Sequence, residues 1–162
     1  MIISQCEDFP FNGRNRRPPK DKVNALLSFV YTLLNHEVQS ALETVGLDPY
    51  VGFLHTDRPG RASLALDMME FFRQNIVDSF VIKLVNKKMV KVEDFYMDEE
   101  KGIRMTPDCY RKFLKTYEEY MTKNNSKGSF SNTYRKRIRH EIQGLKNDLQ
   151  KKSQWHSLPL PW

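Results

Sequence analysis

Two carboxylates sit where this chain is most apolar. Residues 63–73 read Ser63-Leu64-Ala65-Leu66-Asp67-Met68-Met69-Glu70-Phe71-Phe72-Arg73, a composition that suits a buried helix. On a helix Asp67 and Glu70 are three positions apart and share a face. A carboxylate buried without a partner is costly, so the fold has to bring a cation or a set of donors to this face. Candidates come just before it. His55 ends a turn-rich stretch, and Arg58 and Arg61 flank Pro59-Gly60 between the histidine and the acids. One histidine and two carboxylates suit a divalent metal ion. The same residues have plainer uses. A loop histidine can hydrogen-bond to backbone, and two acids can lie on a solvated helix face or pair with nearby arginines.

The rest of the chain reads as helices around this run. Val23, Leu26, Leu27, Val30, Leu33, Leu34, Val38, Ala41 and Val45 recur at helical spacing and predict a helix over residues 20–45. Gly46 follows as a C-cap, and Asp48-Pro49 turns the chain. Residues 51–54 are expected to pack briefly before His55. Ser63 is expected to cap the helix of the two acids. Ile76, Val77, Phe80, Val81, Leu84 and Val85 continue in a second helix or in the far half of one kinked helix. Residues 95–105 suggest a small β-hairpin. Thr106-Pro107 opens a helix with Tyr110, Phe113, Leu114, Tyr117 and Met121 on one side, and Phe130, Tyr134, Ile138, Ile142, Leu145 and Leu149 mark a last one. The fold expected is all-α, a compact multi-helix domain over residues 1–162 with at most a small β-hairpin.

Charge narrows the partner. The net charge is +6. Arg14, Arg16, Arg17 and Lys20 stand together without an acid, and residues 123–152 are rich in Lys and Arg with only Glu141 and Asp148 against them. Two basic blocks around a balanced middle fit nucleic acid. No apolar run is long enough to span a bilayer, and no signal-peptide pattern opens the chain. Cys6 and Cys109 form no disulfide framework or zinc motif and read as small buried hydrophobes in a reducing, intracellular setting. His36, His140 and His156 read as surface residues.

Several short motifs occur in one order: Phe9-x-Phe11-x-Gly13-Arg14 with Arg16-Arg17-Pro18-Pro19, Val23-Asn24-Ala25-Leu26-Leu27-Ser28-Phe29-x-Tyr31, Gly46-Leu47-Asp48-Pro49, Gly52-Phe53-Leu54-His55, a basic Pro59-Gly60 loop, and Ser63-Leu64-Ala65-x-Asp67-x-x-Glu70. This set resembles the C-terminal domain of the CRISPR adaptation integrase, the metal-dependent DNA endonuclease that inserts new spacers into CRISPR arrays. The resemblance is close over residues 6–90 and looser beyond. It implies that His55 and Glu70 are ligands of Mn²⁺ or Mg²⁺, with Asp67 beside them as an orienter or a catalytic participant. It implies DNA contacts from Arg58, Arg61, Arg14, Arg16 and Arg17, with protospacer and CRISPR-repeat DNA as partners. It further implies a homodimer in the full-length form, a small partner protein of the adaptation complex, and a prokaryotic cytoplasmic setting. The family's third ligand is a glutamate upstream of the Phe9-x-Phe11 block, and Glu7 does not match its motif. The expectation is therefore a fragment lacking the family's N-terminal β-rich domain and one metal ligand. A non-catalytic helical nucleic-acid-binding module and an inactive remnant are the alternatives.

Overall fold

The structure, a computed structural model, describes residues 7–15, 18–55, 58–123 and 133–151. The helices are α1 (Lys22–Thr44), α2 (Ser63–Phe72), α3 (Ser79–Asn86), α4 (Pro107–Thr122) and α5 (Tyr134–Lys151). A π-helical turn, Arg73–Asp78, joins α2 to α3 without a break, so the two predicted helices are one run with a changed winding. The antiparallel strands β1 (Phe95–Asp98) and β2 (Gly102–Met105) pair Phe95 with Met105 and Asp98 with Gly102. The described chain is mostly helical with one small hairpin, as its periodicity predicts. Among the described residues no helix is long and apolar enough to cross a membrane.

Local chemistry sets the ends of α1. The Asp21 Oδ1 accepts the Asn24 N–H at 2.7 Å, which caps the helix and moves its start from the predicted Lys20 to Lys22. At the far end Gly46 takes a φ of 78°, and the Leu47 N–H reaches back to the Leu42 carbonyl at 3.0 Å. That is the left-handed closure which glycine adopts at least cost. Helix α4 also starts as expected: the Thr106 Oγ1 accepts the Cys109 N–H at 3.3 Å, and Pro107 is the first helical residue.

Helix α2 does not start as expected. Ser63 is its first residue and is buried, and no side chain caps the terminus. The Pro49 carbonyl accepts the N–H groups of Leu64 at 2.9 Å and Ala65 at 3.2 Å instead. Ser63 is occupied in packing against the preceding loop.

The chain groups into two compact units, and α1 contributes to both. One unit draws on residues up to Thr32 and on Ile76–Tyr120. Its core includes Val23, Leu26, Leu27, Val30, Phe80, Leu84, Phe113 and Tyr117, with the Phe80 ring edge-on to Phe113 at 5.5 Å and to Tyr117 at 5.6 Å. Cys109 is buried here as a small hydrophobe, and burial, with Asp94 nearby, pushes its thiol up to about 11. The other unit draws on Leu33–Asn75 and on residues from Met121 onward. It buries Leu34, Val38, Leu42, Leu64, Met68, Phe72, Ile138, Ile142 and Leu145. Leu149, expected on the apolar stripe of α5, is exposed. Within this unit the Arg135 guanidinium of α5 grips both carboxylate oxygens of Glu37 on α1. Cys6, Phe130, His156 and the residues beyond Lys151 lie outside the described residues.

Asp21 does more than cap α1, since its Oδ2 also accepts the side-chain amides of Asn24 and Asn15 at 2.6 and 3.1 Å. Asp21→Ala is therefore expected to lower stability by about 1–2 kcal/mol. Urea denaturation against the parent chain measures this, and an unchanged midpoint would show that the cap contributes nothing.

Candidate metal centre

The site is built by folding one loop onto the start of α2. Asp48 turns the chain at Pro49 by accepting the Tyr50 N–H on Oδ1 at 2.9 Å, and the Pro49 carbonyl then meets the first turn of α2. Residues 52–55 run on along that terminus. The approach is so close that only glycine fits at position 52. A Cβ there would lie 2.6 Å from the Ser63 Cβ and 2.9 Å from the Asp67 Oδ2.

Asp67 receives this backbone. Its side chain is fully buried. The Oδ2 accepts the N–H groups of Phe53 at 2.7 Å and Leu54 at 2.9 Å. The Oδ1 accepts the His55 N–H at 3.1 Å and faces the His55 Nδ1 at 2.5 Å. A carboxylate offers about four acceptor positions, and all are filled. Burial pushes the Asp67 carboxyl up. The hydrogen bonds from Leu54, the His55 ring, Phe53 and the His55 backbone outweigh it and hold the group below the ordinary carboxylate range. The expectation that the side chains of residues 51–54 pack is not met: Val51, Phe53 and Leu54 are 63%, 56% and 71% exposed. The backbone of this segment is what the fold secures.

This arrangement orients His55. An ionised carboxylate only accepts, so the His55 Nδ1 carries the proton of the shared bond. Nε2 is left as the ring nitrogen with no hydrogen-bond partner among the described residues. The carboxylate–imidazole pair is the arrangement that fixes ligating histidines in metal sites. Glu70 lies one turn beyond Asp67, exposed, and pairs with Arg73 at 3.4 Å. Such an exposed i,i+3 pair is weak and yields readily to a stronger cation. Among the described residues no group of three or more His, Cys, Asp or Glu side chains converges to hold a metal, and the exposed Glu7 completes none.

The arginines separate into two kinds. Arg58 is exposed and Arg61 half-buried, and neither guanidinium has a hydrogen-bond or ion-pair partner among the described residues. Arg14 is turned into its own unit. Its Nη1 donates to the Asn24 Oδ1 at 2.8 Å and to Ser28 at 3.2 Å, and its guanidinium lies over the Tyr31 ring at 5.1 Å. This inward network, which holds the lead-in segment against α1, was missed in the sequence reading; the Asp21-x-x-Asn24 spacing is its visible trace. Arg16 and Arg17 lie outside the described residues. His36 and His140 are exposed, as expected.

The family model for CRISPR associated protein Cas1 matches residues 1–119. The chain belongs to the Cas1 family. The CRISPR-associated endonuclease Cas1 1 of Chlorobaculum tepidum is 51% identical over 118 residues, which are 73% of this chain and 34% of that protein. Among solved structures, a Cas1 protein from Thermotoga maritima matches at 31% identity with a TM-score of 0.83, covering 94% of this chain and 47% of the other. A casposase bound to an integration product matches at 32% identity and a TM-score of 0.79, covering 89% of this chain and 41% of the other. A Cas6-RT-Cas1–Cas2 complex matches at 27% identity and a TM-score of 0.81, covering 96% of this chain and 17% of the other. The chain spans about a third of the length of the Chlorobaculum relative.

The Asp67 clamp makes a prediction that needs no metal. Asp67→Asn puts an NH₂ group against backbone donors and leaves about two of them unpaired, so it is expected to lower stability by about 2–5 kcal/mol at neutral pH. The Asp67 value in the fold is lowered, so its stabilisation is present above the unfolded value of about 3.9 and is lost as pH falls through the folded value. The gap between parent and variant should therefore narrow in acid. Chemical denaturation of both chains from neutral to acidic pH checks this, and a gap that stays constant or widens in acid counts against the clamp.

Proposed function

We propose that this chain contributes half of a divalent-metal site used for phosphodiester cleavage and strand transfer on DNA in CRISPR spacer acquisition. The observation that carries the reading is the Asp67–His55 pair, which holds the imidazole by Nδ1 and leaves Nε2 for a ligand role. His55 Nε2 and the Glu70 carboxylate are the donors offered, a mixed nitrogen–oxygen set that fits Mn²⁺ or Mg²⁺. Such an ion supplies charge neutralisation at the phosphate and an acidified water or a positioned 3′-hydroxyl. Asp67, with every acceptor position taken, serves as the positioning residue of the two roles left open for it. Arg58 and Arg61, whose guanidinium groups have no partner among the described residues, are suited to the phosphates beside the site. The relative's name as an endonuclease, the casposase's integration product and the complex with Cas2 support nuclease and integrase chemistry, DNA as substrate and a small partner protein. The third ligand comes from protein outside the described residues.

The division of labour is testable where the ligand set is complete. Glu70→Ala is expected to cut single-turnover cleavage in Mn²⁺ by orders of magnitude at saturating DNA while leaving DNA affinity nearly intact. Arg58→Ala is expected to weaken binding and lower its salt slope by about one unit, with the rate at saturation retained. The chain by itself is expected to bind DNA and cleave it little or not at all. Wild-type cleavage by Glu70→Ala, or robust Mn²⁺-dependent cleavage by this chain alone, contradicts the assignment.

A further inference from the structure

Helix α5 separates its basic residues by face. Its buried side carries Ile138, Glu141, Ile142 and Leu145, and Arg135 is committed to Glu37. The opposite side carries Lys136, Arg139, His140, Gln143, Asn147 and Lys151, all exposed. Apart from the adjacent Arg139 and His140, these positions follow at intervals of three and four, so they form one stripe along the helix. The two acids of α5 lie off it: Glu141 is buried and Asp148 is half-buried. None of Lys136, Arg139 and Lys151 has a side-chain partner among the described residues. Gln143 and Asn147 bond to each other at 3.0 Å and fill the middle of the stripe with neutral hydrogen-bonding groups. The helix has 18 residues, about 27 Å of rise, which passes several consecutive phosphates of a duplex.

We propose that this face of α5 is a docking rail for the phosphate backbone of double-stranded DNA, separate from the His55 site. A surface that merely keeps a helix soluble mixes both charge signs. This stripe holds cations and amides and no carboxylate. It also holds no Phe, Tyr or Trp, so it offers no platform for stacking unpaired bases, and that favours duplex over single strands. Lys, Arg, Gln and Asn are among the side chains that bond to phosphate oxygens, and such contacts carry no sequence information. The inference rests on the proposed function only in taking DNA as the partner. The matched family segment ends at residue 119, before α5 begins.

The test is the salt dependence of binding by the full chain, read by fluorescence anisotropy with a 25-base-pair duplex, an oligo-dT strand and anionic lipid vesicles as probes. The triple variant Lys136→Gln, Arg139→Gln, Lys151→Gln keeps good helix formers and is checked by circular dichroism. For the duplex its slope of log K against log salt should shrink by about 2–3 units, and Gln143→Lys should steepen the slope by about one. Unchanged slopes in both variants overturn the proposal. So does an effect confined to oligo-dT or to vesicles. A slope that falls in Arg58→Gln but not in the triple variant overturns the α5 rail and leaves the DNA reading of the His55 site standing. A slope that falls only in the triple variant supports the rail and counts against Arg58.

Discussion

The buried carboxylate of Asp67 organises the unit around it. Five features depend on its four hydrogen bonds: the path of residues 52–55, the glycine at position 52, the exposure of Phe53 and Leu54, the orientation of the His55 ring, and the tautomer that ring holds. A negative charge inside an apolar helix is unfavourable by itself, and three aligned backbone N–H groups with an imidazole reverse that. The cost of holding a loop in one shape is met within the fold, before any ligand arrives. A metal ligand placed this way needs little reorganisation on binding.

Some of this was legible in the sequence. Asp67 and Glu70 stand out because charge is rare in so apolar a run, and the period of the helices marks α1, α4 and much of α5. The ordered motifs identify the family segment. What was not legible follows from contacts made by groups without a side-chain signature. Backbone N–H groups of residues 53–55 look alike in any sequence, so the partners of Asp67 could not be named from it. Ser63 looked like a cap because serine usually is one, and the Pro49 carbonyl took the role because the loop arrives there first. Val51, Phe53 and Leu54 looked like packing residues by hydropathy, yet their backbone geometry turns them outward.

The arginines teach the same lesson. By composition Arg14, Arg58, Arg61 and Arg135 are equivalent cations in a basic chain. The fold gives Arg14 an amide, a hydroxyl and an aromatic face, gives Arg135 a carboxylate, and gives the side chains of Arg58 and Arg61 no partner among the described residues. Of these four, only Arg58 and Arg61 keep a guanidinium without a partner among the described residues, so net charge alone does not measure the cationic surface.

The central claim is that Asp67 holds His55 by Nδ1 and leaves Nε2 to bind a cation. The most direct measurement is the ¹⁵N chemical shifts of the His55 ring, with and without Mn²⁺. The account predicts a protonated Nδ1, an unprotonated Nε2, and paramagnetic broadening of His55 by Mn²⁺ that His36 and His140 escape. A His55 ring protonated at Nε2, or one broadened no more than the other histidines, would contradict it.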